Sequence, residues 1–302
     1  MFEPKDLKGI IPPILTPLDD EERVDRQSLK NLVSYMVEGG VHGIWVTGTT
    51  GEFPCIDEKE RAIAVETTMA AVAGRMPVVA SVGDSSTMLA VRHGRNAKAA
   101  GADFIAATPP HYYVNSPDDL LTHYRTLREK VDCPLLVYNI PQNVKVQLTV
   151  KTVLTLAEEG TVVGIKDSQN NLDWFRQVMV GAREYGKGFR GFLGTRYLVD
   201  AGLVAGAHGA IPSIANIAPR IASDIYERAI AGDWAGAAVA QEKLGKLALK
   251  IDGVQPMLSA LKYSLKMLGI IENPRMTLPF KTFGAADGEK LYPILRDAGL
   301  LK

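Results

Sequence analysis

The sequence lacks several features, and each absence excludes a class of protein. Among 302 residues there are two cysteines, Cys55 and Cys133. Two thiols cannot staple a chain of this length, so a disulfide scaffold is excluded, and the usage suits a reducing, cytoplasmic compartment. Without a base partner in sequence, both thiols read as packing residues. No apolar run reaches the ~18 residues a membrane-spanning helix needs. The opening MFEPKDLKGI is charged and does not have the apolar stretch of a secretory leader. Net charge is absent too: 34 Lys and Arg balance 34 Asp and Glu. Nucleic acid is therefore not expected as a partner, because neutralising phosphates takes a surplus of clustered cations. The five histidines, His42, His93, His111, His123 and His208, form no His-x-x-x-His pair and no cluster with carboxylates, so a metal-dependent site is not expected. There is no Walker loop. Gly39-Gly40-Val41-His42-Gly43 precedes a strand instead of following one, which argues against a dinucleotide fingerprint.

What is present is a repeated alternation. Short, β-branched, continuously apolar runs recur at 9–15, 43–46, 77–82, 104–107, 135–138, 162–165, 190–193 and 207–211. Continuous hydrophobicity is the mark of strands buried on both faces. Between them lie segments with helical spacing: Leu29, Leu32, Val33, Met36 and Val37 in one, Leu120, Leu121, Tyr124, Leu127 and Val131 in another. Gly39-Gly40, Gly74, Gly101 and Gly160 close several helices just before the next strand. Strand starts are about 30 residues apart, the length of one βαβ unit. Eight units predict an α/β fold of the (β/α)8 TIM-barrel type; an open doubly wound sheet would carry a glycine-rich turn after its first strand, where this chain has Pro12-Pro13 and Thr16-Pro17. No linker divides the chain. Residues 1–213 are expected to form the barrel core, and 214–302 the last barrel helix plus a C-terminal helical extension, within one structural domain. Leu258, Leu261, Lys262, Leu265 and Leu268 form one helical face of that extension, which would serve packing or subunit contact.

In such a barrel the chemistry sits at the carboxyl ends of the strands. Lys166 follows Val162, Val163, Gly164 and Ile165 and is expected at or inside the mouth. There an ammonium loses hydration and its pKa falls, leaving an amine that attacks carbonyls; the competing reading is a lysine that leaves the strand for solvent. Tyr138 ends the run Leu135-Leu136-Val137 and is either a proton shuttle beside Lys166 or an aromatic core plug. Thr49 and Thr50, in a glycine-flanked turn, offer N–H groups to a carboxylate or make an ordinary βα turn. Tyr112 and Tyr113, in a proline-rich loop, reach the mouth or a neighbouring subunit, or merely anchor the loop. Glu52 reads as a charge at a helix N-terminus, and Asp167 as a supporting or capping residue as readily as a catalyst.

Taken together, Gly48-Thr49-Thr50-Gly51-Glu52, Tyr138-Asn139-Ile140-Pro141 and Gly164-Ile165-Lys166-Asp167-Ser168 resemble three signatures of the dihydrodipicolinate synthase/N-acetylneuraminate lyase family of Schiff-base aldolases, in the same order and at matching strand positions. The resemblance covers nearly the whole chain. It implies a barrel with a helical C-terminal extension, a homotetramer built as a dimer of dimers, and a metal-independent lyase that needs no cofactor. Its substrates would be a 2-oxo acid, pyruvate as product or donor, and an aldehyde. Lys166 then matches the Schiff-base lysine, Tyr138 the proton-relaying tyrosine, and Thr49 the hydroxyl linking it to a second tyrosine, for which Tyr112 is the counterpart. Thr50, with Gly48 in the same turn, matches the pyruvate-carboxylate site; Gly194 and Ile211 match backbone positions lining the imine pocket.

One segment departs from the pattern. Dihydrodipicolinate synthases resemble Tyr-Asn-x-Pro-x-Arg-Thr-Gly, but here Asn143 stands where that arginine would grip the aldehyde's carboxylate, and an amide cannot form the bidentate charged clamp. Lys145 is close by, as a point charge. The Lys-Asp-Ser run looks more like 2-keto-3-deoxy sugar-acid and 4-hydroxy-2-oxoglutarate aldolases, in which Asp167, Ser168, Gln142 and Asn143 would meet substrate hydroxyls. The readings carried forward are thus an aldolase of that kind, a 4-hydroxy-tetrahydrodipicolinate synthase, a dehydratase of deoxy-keto acids, and a catalytically silent 2-oxo-acid sensor.

Overall fold

The computed structural model describes residues 2–185 and 188–301. Its centre is eight short parallel strands: β1 Gly9–Ile10, β2 Ile44–Val46, β3 Val78–Ser81, β4 Phe104–Ala107, β5 Leu135–Asn139, β6 Gly164–Asp167, β7 Arg190–Leu193 and β8 Gly209–Ala210. Each pairs with the next in chain order from β2 to β8, and β8 pairs with β1. A parallel bridge between Pro13 and Trp45 closes the ring. It is bracketed by bonds from the Trp45 N–H to the Pro12 carbonyl (3.0 Å) and from the Ile14 N–H to the Trp45 carbonyl (2.9 Å). The fold is therefore a (β/α)8 barrel. Every strand residue but Arg190 is buried, which explains why the apolar runs do not alternate.

Two strand boundaries differ from the sequence pattern for physical reasons. The first run, expected over 9–15, pairs regularly only at Gly9–Ile10, since Pro12 and Pro13 have no N–H to give to a ladder. The sixth, expected over 162–165, is shifted to Gly164–Asp167. Its ladder with β5 continues through Tyr138–Lys166 and Asn139–Asp167, so the two ionisable residues lie within the strand and not beyond its end.

The outer layer comprises α1 Arg26–Glu38, α2 Glu58–Val72, α3 Thr87–Ala99, α4 Pro117–Val131, α5 Pro141–Val144, α6 Val150–Glu158, α7 Leu172–Glu184, α8 Val199–Val204 and α9 Pro219–Ile230. Three further helices follow: α10 Trp234–Asp252, α11 Met257–Met267 and α12 Ala285–Asp297. Side chains at the mouth start several helices: Asp25 accepts from the Gln27 and Ser28 amides, and Ser116 forms a capping box with Asp119. At the opposite end Gly101 (φ 90°) and Gly160 (φ 74°) reverse the chain in the left-handed region before β4 and β6. Helices thus end at the barrel floor and begin at the mouth, which leaves the longer βα loops to build a site above the strands.

Candidate active site

Side chains alternate along β6, and its register sets Lys166 beside Tyr138 on β5 and Phe192 on β7. The lysine points into the barrel and is 3 % exposed. Its Nζ lies 4.1 Å from the centre of the Tyr138 ring and 4.8 Å from that of Trp45. The two rings meet edge to face at 5.6 Å. Among the described residues Lys166 has no carboxylate partner. Burial therefore holds its ammonium below the ordinary lysine range, opposed by the Tyr138 hydroxyl. Desolvating a fully buried ammonium costs several kcal/mol. The ring faces return only about 0.5–2 kcal/mol, so burial wins and the pKa is lowered.

Tyr138 is buried, and its hydroxyl lies 3.3 Å from Thr49 Oγ1. Thr49 belongs to the tight turn after β2. Thr47 enters it with φ 53°, its hydroxyl bonded to the Ser81 carbonyl at 2.9 Å. The turn is then closed by the amides of Gly51 and Phe53 donating to the Gly48 carbonyl and that of Glu52 donating to Thr49. A side chain at Gly48 would put its Cβ 2.9 Å from Trp45 Nε1; the glycine lets the turn lie on the same indole that flanks the lysine. The backbone amides of Thr49 and Thr50 make no hydrogen bond among the described residues. Two unspent N–H groups beside a buried amine suit a carboxylate.

The opposite wall is as close. A Cβ at Gly194 would stand 2.0 Å from Ser168 Oγ and 3.0 Å from Lys166 Cε, so the backbone at the end of β7 runs directly against the lysine. Ile211, at the end of β8, is buried and donates its N–H to the Leu193 carbonyl at 2.8 Å. Among the described residues, then, the barrel mouth brings together a buried amine with no carboxylate partner, a phenol bonded to a threonine, and two backbone amides without hydrogen bonds.

Comparison with known proteins gives the family. The model of the dihydrodipicolinate synthetase family matches residues 6–298. The chain belongs to this family. Among its family relatives is an uncharacterised DapA-like lyase of Halobacterium salinarum, 32% identical over 99% of this chain and 96% of the relative. Another is a 4-hydroxy-tetrahydrodipicolinate synthase of Phenylobacterium zucineum, 33% identical over the full length of both. A solved dihydrodipicolinate synthase of Acinetobacter baumannii, complexed with pyruvate, superposes with a TM-score of 0.89 at 29% identity, covering 98% of this chain and 100% of that one. As a member of the dihydrodipicolinate synthetase family, the chain is a lyase.

Other residues singled out from the sequence lie further from the lysine. Ser168 faces the same side as Lys166, against Gly194, and is anchored by its N–H to the Asn139 carbonyl (2.9 Å) while Gln142 Nε2 donates to its carbonyl (3.0 Å). Asp167 points the other way. Its Oδ1 accepts from Asn139 Nδ2 at 2.7 Å, and Asn139 Oδ1 accepts from the Leu148 amide at 3.3 Å. Burial pushes the Asp167 carboxyl up to about 7, against the pull of the Asn139 and Gln169 amides. An Asp167 that meets substrate hydroxyls is thus corrected: it ties β6 to the loop after β5. Asn143 is exposed on α5. Tyr112 is 80 % exposed, with φ 83° and its ring against Tyr113, so a single chain does not bring it to Thr49.

Two expectations fail outright. Cys55 is exposed, so only Cys133 is a packing thiol. Glu52 does precede a short 3-10 helix, Phe53–Cys55, but its carboxylate does not serve that helix: it is buried against Lys262 of α11. Trp45 was missed as a pocket wall. The signal was its place one residue before the end of a strand whose next turn carries Gly48.

Proposed function

We propose that the chain is a class I, Schiff-base carbon–carbon lyase or aldolase acting on a 2-oxo acid, with pyruvate as product or donor and Lys166 as the nucleophile. The observation that carries this is the Lys166 amine, buried with no counter-ion among the described residues and 4.1 Å from the centre of the Tyr138 ring. The neutral Nζ attacks the keto carbon, a proton from solvent lets the carbinolamine hydroxyl leave as water, and a protonated imine forms. Tyr138 takes the proton from the hydroxyl of the carbon that departs while its own passes by way of Thr49 to solvent, the carbon–carbon bond breaks, and its electron pair flows into the imine to give an enamine and an aldehyde. Protonation of the enamine and hydrolysis of the imine then free pyruvate and restore the amine. The imine is itself the electron sink, so the reaction needs no Lewis acid. Thr49 orients the Tyr138 hydroxyl; Thr50 and the amides after Gly48 take the carboxylate; Gly194 and Ile211 give the backbone wall. Tyr112 completes the relay from a neighbouring subunit of a homotetramer, and the two unbridged cysteines suit the cytoplasm.

On the aldehyde side, Ser168 faces the pocket beside Gly194 and Asn143 replaces a guanidinium. Both favour hydroxylated 2-keto-3-deoxy sugar acids or 4-hydroxy-2-oxoglutarate. A second reading, condensation of pyruvate with aspartate semialdehyde, is favoured by the full-length likeness to synthases. Pyruvate release from a panel of 2-keto-3-deoxy acids, run beside the semialdehyde condensation, separates the two. The first reading expects release from the sugar acids and little condensation; the reverse overturns it. An Asn143→Arg variant that gains no condensation activity counts against the carboxylate-clamp argument.

A further inference from the structure

The turn that carries Thr49 and Thr50 is held from outside the barrel. Glu52 ends that turn with φ 60°, a conformation non-glycine residues seldom adopt without support. Its support is a buried ion pair 210 residues away in sequence: Lys262 Nζ meets Glu52 Oε1 at 2.5 Å, with both side chains at 0% exposure. The second carboxylate oxygen accepts from the Thr277 amide (2.9 Å) and hydroxyl (2.8 Å). Lys262 Nζ also donates to the Arg275 carbonyl at 2.6 Å. Both carboxylate oxygens and two of the three ammonium donors are engaged. Such a pair is costly to bury and adds little net stability over apolar residues of the same volume, so stability alone does not account for it. What it does supply is direction. The bonds reach the turn's last residue, while the Gly51, Glu52 and Phe53 amides return to Gly48 and Thr49.

We propose that Glu52 and Lys262 are positioning residues through which the C-terminal helices fix the carboxylate-binding turn of the active site. This rests on the proposed function insofar as the turn takes the substrate's carboxylate. The extension is then a working part of the barrel mouth and not an appendage. A second tie runs the same way, from Arg275 to Glu22 at 3.0 Å and from the Leu278 amide to the same carboxylate at 3.1 Å.

The test is a double variant, Glu52→Leu with Lys262→Met, which removes both charges together and leaves neither stranded. Borohydride trapping of pyruvate on Lys166 is titrated with pyruvate in parent and variant. Loss of the turn's geometry raises the half-saturating pyruvate concentration by about tenfold or more, as small misplacements of binding groups do, while the maximal trapped fraction follows the folded fraction. A merely structural pair lowers the trapped maximum and leaves half-saturation unchanged; that result overturns the proposal. Should the double variant not fold, Thr277→Val keeps the ion pair and loses one of the Glu52 bonds, and the same shift is expected at smaller amplitude. Hydrogen exchange separates the two readings: faster exchange of the backbone amides at positions 51–53 in the variant supports the anchor even if the parent forms no imine with pyruvate, and unchanged exchange contradicts it.

Discussion

Lys166 and Tyr138 are direct neighbours across the β5–β6 ladder, and Gly194 closes on the lysine from the other side, where any Cβ would meet Lys166 Cε at 3.0 Å. The amine is thus confined between a phenol ring and a bare backbone. Confinement with no counter-charge among the described residues sets its cost.

That cost is measurable as stability. The folded pKa of Lys166 lies below its unfolded value, so between the two the unfolded chain binds the extra proton. Stability from this site is full above the ordinary lysine value of about 10.4 and is lost as pH falls towards the folded pKa. Lys166→Met removes the burden and should unfold at a higher temperature at pH 7 while losing all activity. Thermal unfolding of both proteins checks this; a variant less stable than the parent contradicts it.

Tyr138→Phe keeps the ring that packs on Lys166 and Trp45 and removes only the hydroxyl. Turnover should fall by about 10²–10⁴-fold, the usual worth of a positioned acid–base group, while the imine with pyruvate still forms. Thr49→Val should give a smaller loss in the same direction. Steady-state kinetics beside borohydride trapping separate the two effects, and equal loss of trapping and turnover in Tyr138→Phe would show that the phenol does something else.

Asp167 carries the opposite sign. Its folded pKa is raised to about 7, so between about 4 and 7 the folded state holds a proton that the unfolded chain has released, and stability falls as pH rises through that window. Asp167→Asn retains an acceptor for Asn139 and should abolish the slope, which makes it more stable than the parent at pH 8 and nearly equal at pH 4. Urea unfolding at the two pH values decides; a parallel pH dependence in both proteins refutes the assignment.

Gly194→Ala drives a methyl to within 2.0 Å of Ser168 Oγ. The expected loss is about 1–3 kcal/mol of stability, typical of overpacking, with a larger loss of activity because the lysine must move. Adding Ser168→Ala removes the nearest atom and should recover part of the stability. A double-mutant cycle with no coupling between the two sites rules out the proposed contact.

The barrel was legible because both faces of its strands are buried, which yields apolar runs such as 104–107 and, behind the half-buried Arg190, 191–193. Those two coincide with β4 and most of β7. Strand ends were less so: Lys166 and Asp167 extend β6 because their neighbours on β5 continue the ladder, a pairing fact that one strand's composition does not contain. The polar residues gathered at the mouth stood out by position after the strands. The Glu52–Lys262 pair did not. Each residue alone resembles a surface charge, and only the fold brings positions 210 apart into contact; the one clue was a lysine on the apolar face of α11, between Leu261 and Leu265.

The central claim is that one buried lysine gives up its proton below the ordinary lysine range and acts as the amine nucleophile. The rate of pyruvate trapping by cyanoborohydride, read as a mass shift on the peptide carrying Lys166 across a range of pH, tests it most directly. The account predicts labelling confined to that peptide, absent in Lys166→Ala, with a midpoint well below the ordinary lysine value of about 10.4. Labelling that rises only near that value, or that persists in the alanine variant, would contradict it.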